Sequence, residues 1–355
     1  MRLLLAIAVA LLFAAPVSRA QDDPPPKKKQ AAAADKDKVK MDAETKAAIE
    51  KALRWLKDQQ DGKGAWGNTA ITSFALLAFM SNGHAPNQGD YGPAVSKGVR
   101  YLLASARESD GYIVGDRGGN MYCHGMATLA LTQVFGMTGD EDVKKVLKKA
   151  VDLIVKTQNI EGGWRYDPAP TGADISVTIM QVMALRGAKD SGLHVPDKTI
   201  TEALKYISKC HDKRTGGYRY QPYSSGPGYA RTAAGVCVLQ LGGEYEADEI
   251  KAAIDYMLRV ADDRQHYWYG HYYAAHALNQ VGGAEWEKYY ERMRTNLVNY
   301  PADKQKFGAD PSLKQRATGE WYSPRLEAAY GPTYQTAIAV LILSVPTHFL
   351  PIYQK

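Results

Sequence analysis

Three stretches of the chain share one spacing: Gln60-Asp-Gly-Lys-Gly-Ala-Trp66, Gln158-Asn-Ile-Glu-Gly-Gly-Trp164 and Gln315-Arg-Ala-Thr-Gly-Glu-Trp321. Each reads Q-x3-G-x-W. Degenerate copies fill the gaps, at Asp110-Gly111-Tyr112 and Thr215-Gly216-Gly217-Tyr218. Two copies run on in parallel, as Gly163-Trp-Arg-Tyr-Asp-Pro168 and Gly217-Tyr-Arg-Tyr-Gln-Pro222. Self-similarity at a roughly regular period marks a repeat architecture. The residue types suggest a structural joint. Glycine permits positive φ or close approach, a Trp or Tyr packs between neighbouring outer helices, and Gln bonds the backbone at the start of the following helix.

Each turn follows a stretch with a helical apolar stripe. Ala48–Lys57 places Ile49, Leu53 and Leu56 on one face, and 94–103, 143–155, 200–207 and 250–260 behave likewise. After each turn comes a more apolar helix: 70–80, 125–135, 177–185, 232–241, 272–281 and 336–343. Gly83, Gly136, Gly187, Gly242 and Gly282 read as their C-terminal ends. One amphipathic and one apolar helix per unit imply two layers, with the apolar helix inside. An open stack needs polar caps at its ends. Neither end is polar, and the last helix (TAIAVLILSV) is the most apolar of all. The expected fold is therefore all-α, a closed (α/α)6 barrel or toroid of six helical hairpins over residues 43–355.

The remaining N-terminal residues read as an address. Residues 1–20 carry Arg2, an apolar run and Ser18-Arg19-Ala20, the form of a secretory signal peptide. Residues 21–42 mix Pro, Lys, Asp and Ala and are expected to be a flexible tether. The protein is thus expected to be exported, periplasmic or extracellular, with no transmembrane span in the mature chain. The formal charge of +6 falls by 2 without Arg2 and Arg19, and by 1 more without the six Lys and five Asp of 21–42, leaving +3. That spread-out charge gives no footprint for nucleic acid. Three separated cysteines, Cys123, Cys210 and Cys237, form no even framework and are expected in the core; whether Cys210 and Cys237 pair is open.

The repeats resemble those of the prenyltransferase and squalene-oxidase repeat superfamily, which includes the squalene–hopene cyclases and the β subunits of protein prenyltransferases. The Q-x3-G-x-W copies look like the QW motif of triterpene cyclases, and Gly331-Pro-Thr-Tyr-Gln-Thr-Ala-Ile-Ala-Val-Leu341 is similar to a cyclase segment of the form SPVWDTALAVLAL. The resemblance covers roughly 45–345 and implies an α/α toroid. It does not carry over the chemistry. On the cyclase DxDD motif, Asp174 matches the first acid, but Ser176 stands at the proton donor and Val177 at the last acid. The D-x-C zinc pair of prenyltransferases is absent, so no metal or other cofactor is expected.

Residues just before or early in the inner helices should surround a central funnel. As ligand-binding candidates these are Arg117, Tyr122 and His124; Arg165 and Tyr166; Arg219, Tyr220 and Arg231; His266, Trp268, Tyr269, His271, Tyr272 and His276; and Tyr334. The chain has 23 Tyr against 6 Phe, so the funnel suits a mixed-polarity partner, a glycan or an isoprenoid-like lipid. Asp174, Asp167 and Glu327 are candidate acids or bases, with Asp167 and Glu327 a possible carboxylate pair. Three readings stand side by side: a binding protein for such a small or oligomeric ligand, an enzyme on the same toroid (a terpene-cyclase or prenyl-transfer relative, or a polysaccharide hydrolase or lyase), and a purely structural module.

Overall fold

The computed structural model describes residues 39–244, 247–261, 263–298, 311–348, 350 and 352. Residues 1–20, expected to be a signal peptide, and residues 21–38 of the expected tether lie outside these. Val39 and Met41, read as tether, pack against the core, and the Asp42 carboxylate accepts from Thr45 N–H at 2.8 Å to cap the first helix. The body therefore begins a few residues before the expected boundary.

The described residues form twelve α-helices: α1 Ala43–Asp58, α2 Thr69–Met80, α3 Gly92–Ala104, α4 Met121–Thr138, α5 Glu141–Lys156, α6 Ile175–Asp190, α7 Asp197–Lys209, α8 Tyr229–Leu241, α9 Asp248–Arg259, α10 Tyr267–Val281, α11 Gly283–Leu297 and α12 Gly331–Ser344. No strand occurs among the described residues, only three isolated bridges. The even-numbered helices pack in sequence, α2 on α4, α4 on α6 and onward to α12, and α12 packs back on α2. That cyclic order is a closed ring, and α1 lies against both α12 and α2 across the seam. The expected all-α toroid is observed.

The two layers follow from sequence. On α5 the buried residues are Val143, Leu147, Ala150, Val151, Leu153 and Ile154; its other residues are wholly or partly exposed. Acids in the first turn and Lys156 in the last suit the helix dipole. On α2 every residue except Ile71 is buried, as an inner helix requires. The segment Ala328–Thr347 is long and apolar enough to cross a membrane, but 67% of it is buried within the ring.

Two glycine assignments differ from expectation. Gly136 and Gly187 lie inside α4 and α6. A Cβ on Gly187 would stand 2.5 Å from Thr132 Oγ1, so this glycine serves the close approach of α6 to α4. The true C-cap of α4 is Gly139, at φ +65°. All three cysteines are buried, and burial raises the Cys210 thiol to about 12.

The three Q-x3-G-x-W turns are the same joint built three times. The glutamine amide donates to the carbonyl of its own turn glycine and to an early carbonyl of the next outer helix. These second acceptors are Ala94 for Gln60, Thr199 for Gln158 and Ala48 for Gln315, all at 2.8 Å. The indole N–H donates back to the preceding outer helix, to Leu56, Ile154 and Leu297 carbonyls at 2.6, 2.7 and 3.0 Å. The Trp backbone N–H donates to a threonine hydroxyl on the following inner helix: Thr72, Thr178 or Thr336. Because Gln315 reaches Ala48 of α1, the joint between successive units also closes the ring.

Candidate functional site

The inner helices all begin at one end of the ring. Three use a side-chain cap: Asn68 on α2, Asn120 on α4 and Asp174 on α6. The two parallel loops seen in sequence dock over these starts. The Tyr166 carbonyl accepts from Met121 N–H of α4, and the Tyr220 carbonyl accepts from Ile175 N–H of α6, both at 2.9 Å. Equivalent docking brings the two hydroxyls within 3.1 Å of each other.

Asp174 sits beneath that pair. It is fully buried, and its Oδ1 accepts from Val177 N–H at 3.0 Å. Its Oδ2 makes no hydrogen bond of good geometry, although the Tyr220 hydroxyl and Arg165 lie near enough to favour the anion. Burial outweighs them and raises the carboxyl above its ordinary 3.8. Beside Asp174 stands Tyr269, whose buried hydroxyl makes no hydrogen bond of good geometry, with the Ser176 and Tyr273 hydroxyls near it. Two unsatisfied polar atoms at one place need a physical explanation, and a bound polar partner is one.

Across the mouth Glu327 occupies a different environment. Its Oε2 accepts from Trp268 N–H at 2.5 Å and its Oε1 from the Tyr334 hydroxyl at 3.1 Å. It thereby caps α10, which has no side-chain cap of its own. Burial raises this carboxyl too, against the helix N–H groups and Tyr334. Glu327 and His266 both adopt left-handed backbone, at φ +53° and +54°. For non-glycine residues that conformation costs about 1–3 kcal/mol each and clusters at functional places.

Aromatic rings fill the ring axis below the mouth. Tyr269 lies 4.9 Å from Tyr273 and 6.2 Å from Tyr122 between centroids; Tyr273 contacts Tyr272 at 4.9 Å. Phe74 bridges Tyr272 and Tyr334 edge-on, at 5.7 and 5.6 Å. The floor is thus dense and apolar with phenolic tips. Tyr273 was not singled out from sequence, yet it lies four residues from Tyr269 on the same helix face.

Other candidates serve the scaffold. Arg117 pairs with Asp61 on the outer loops. His124 faces α5: its Nδ1 accepts from Ile113 N–H at 3.0 Å, its Nε2 lies 3.2 Å from the Ala150 carbonyl, and burial lowers it to about 4. His271 is buried with Tyr229 and Tyr289 hydroxyls 3.2 and 3.0 Å from Nδ1. His276 lines a small cavity with Ser81, Ser344 and His348, at the opposite end of the inner helices. Arg219 pairs with Asp212 at 3.2 Å, and Arg231 donates to the Gly226 carbonyl at 3.1 Å. Trp268 and Tyr272 are buried in the wall. Asp167 is exposed, and no hydrogen bond links it to Glu327. Among the described residues no group of three His, Cys, Asp or Glu is placed to hold a metal.

No family model and no curated protein matches the sequence. Solved structures do match the fold. An α-1,6-mannanase of Salegentibacter sp. HEL1_6, an inactive variant in complex with α-1,6-mannotriose, superposes with TM-score 0.61 at 10% identity, covering 86% of this chain and 99% of that one. Cellobiose 2-epimerase of Bacillus thermoamylovorans B4167 gives 0.59 at 12% identity, covering 85% and 98%. A type II terpene cyclase of Scytonema, a variant in complex with geranylgeranyl dihydroxybenzoate, gives 0.55 at 14% identity, covering 86% and 98%. At these identities the likeness is one of fold, the α/α toroid.

Proposed function

We propose that this is an exported α/α-toroid protein, related to the cyclase repeat superfamily, that binds a glycan at the tyrosine-rich mouth of the ring. The observation that carries the reading is the buried pair of Asp174 Oδ2 and the Tyr269 hydroxyl, neither with a hydrogen bond of good geometry, next to the Tyr166–Tyr220 hydroxyl pair. A sugar supplies hydroxyls that donate to the carboxylate and accept from the phenol, and tyrosine faces suit its C–H surfaces. The filled axis disfavours the isoprenoid alternative, because a long apolar chain needs a deep channel. The N-terminal address, rather than the ring, supports export; intact-mass analysis of exported protein should find a chain that begins at Gln21.

A second reading keeps the same site and adds turnover, with Asp174 as general acid. Its raised carboxyl favours that role. Calorimetric titration with α-1,6-mannotriose, cellotriose and a geranylgeranyl amphiphile tests both. Saturable binding of a neutral sugar, weakened about tenfold by Tyr269→Phe, supports the proposal. No sugar binding, or binding of the amphiphile alone, contradicts it. Sugar turnover abolished in Asp174→Asn with binding retained selects the second reading.

A further inference from the structure

A cleft of about 590 Å³ lies outside the ring, against α3. Its sides are Lys63 from the first repeat turn, Lys97 and Arg100 one turn apart on α3, and Gly115 and the carboxylate-bearing Asp116 from the loop before α4. Its floor holds Tyr101 and Ser105. Two ion pairs, Lys63 with Asp116 and Arg117 with Asp61, tie the two flanking loops together. These pairs use both nearby carboxylates. Lys97 and Arg100 have no carboxylate partner among the described residues.

Two further observations point to a ligand. Tyr101 is 6% exposed, and its hydroxyl makes no hydrogen bond of good geometry; Ser105 Oγ lies near it but donates to the Tyr101 carbonyl. A Cβ on Gly115 would stand 2.8 Å from Ser105 Oγ and 3.4 Å from the Tyr101 hydroxyl, so glycine at φ +64° keeps the floor open. The lysine of the turn is particular to this joint. Asp110, Glu161, Thr215 and Thr318 stand at the other four turns where Lys63 stands here. At the last joint the pair Lys97 and Arg100 is matched by Lys51 and Arg54, but Arg54 lies 3.8 Å from Glu50, whereas Arg100 has no carboxylate partner among the described residues.

We propose that this cleft binds an oxyanion, a carboxylate or a sulfate ester, carried on a sugar-sized body. Lys97 and Arg100 hold the charge, and the Tyr101 hydroxyl donates to it from the floor. The volume falls within the range of small-ligand sites and exceeds what a bare ion fills. This site uses none of the residues of the tyrosine mouth, so the two proposals stand or fall separately.

Titration of the folded chain with tri-galacturonate, a sulfated heparin disaccharide, maltotriose and inorganic sulfate is the test. Saturable binding of an acidic sugar that weakens with salt supports the site, and the preferred probe identifies the anion. The exposed double variant Lys97→Gln/Arg100→Gln should weaken it at least about tenfold. Tyr101→Phe should weaken it several-fold without changing the salt dependence. The proposal is overturned if neither acidic sugar binds at low salt, if maltotriose or inorganic sulfate binds as tightly, or if the double variant binds unchanged.

Discussion

Asp174 has two functions with opposite demands on its charge. As an N-cap it accepts a backbone N–H, which suits an anion; as a fully buried group it resists ionisation. Because its folded pKa is raised, the folded state holds the proton more tightly than the unfolded chain. Its contribution to stability is therefore greatest below the ordinary 3.8 and is lost as pH rises through the raised value. Asparagine also caps but cannot ionise. Asp174→Asn should melt at or above the wild-type temperature at about pH 7, with a flatter pH profile, whereas Asp174→Ala loses about 1 kcal/mol of cap. The buried histidines act the other way. His124 falls to about 4 and His276 to about 3, so the unfolded chain binds protons first. Their contribution is complete above the ordinary 6.5 and declines as pH falls toward those values. Thermal denaturation across this range should show acid destabilisation that is reduced in His124→Gln. A melting temperature flat from about pH 7 to 4 would contradict it.

At the scale of elements, the repeat turn joins three helices. Gln158→Ala breaks two hydrogen bonds in a partly buried joint and should cost about 1–2 kcal/mol by urea denaturation. Glycines give a sharper contrast. A Cβ at Gly162, φ +97°, would stand 2.3 Å from the Glu202 carbonyl oxygen, while one at Gly62 meets nothing within 4 Å. Gly162→Ala should destabilise by more than about 2 kcal/mol and Gly62→Ala by little, measured the same way. The glutamine, glycine and tryptophan of this joint were legible in sequence because their spacing repeats. The threonine that receives the Trp N–H was not, because Thr178 lies 14 residues away across a variable loop. Helix α11 also left no aliphatic stripe, since its buried face is Trp286, Tyr289, Tyr290, Met293, Asn296 and Leu297. Its neighbour α10 borrows a cap from Glu327, a tertiary contact that no local pattern announces. Glu327→Ala should speed amide exchange at Trp268 and Tyr269 while leaving the start of α4, capped by its own Asn120, unchanged.

For the whole molecule, closure decides behaviour. In an open stack, removing the last unit lowers stability by one increment. Here α12 packs against α1 and α2, so a chain ending at Val281 exposes apolar faces on both sides of the seam. Such a truncation should lose its cooperative melting transition; a folded monomer would show that the ring is not a stability unit. The toroid was readable from the two helix types and the absence of polar ends. The placement of the candidate site residues was readable only in part. Position in the chain placed Tyr166, Tyr220, Asp174 and Tyr269 at the mouth, but the side of a helix that faces the axis depends on packing. That is why His124 turns outward to α5 and His276 lies at the far end. The most direct test of the proposed glycan site is a crystal structure of the protein grown with α-1,6-mannotriose or cellotriose. Sugar density is expected at the inner-helix N-termini, with hydroxyls on Asp174 Oδ2 and Tyr269. Density elsewhere on the molecule, with that mouth unchanged, would contradict it.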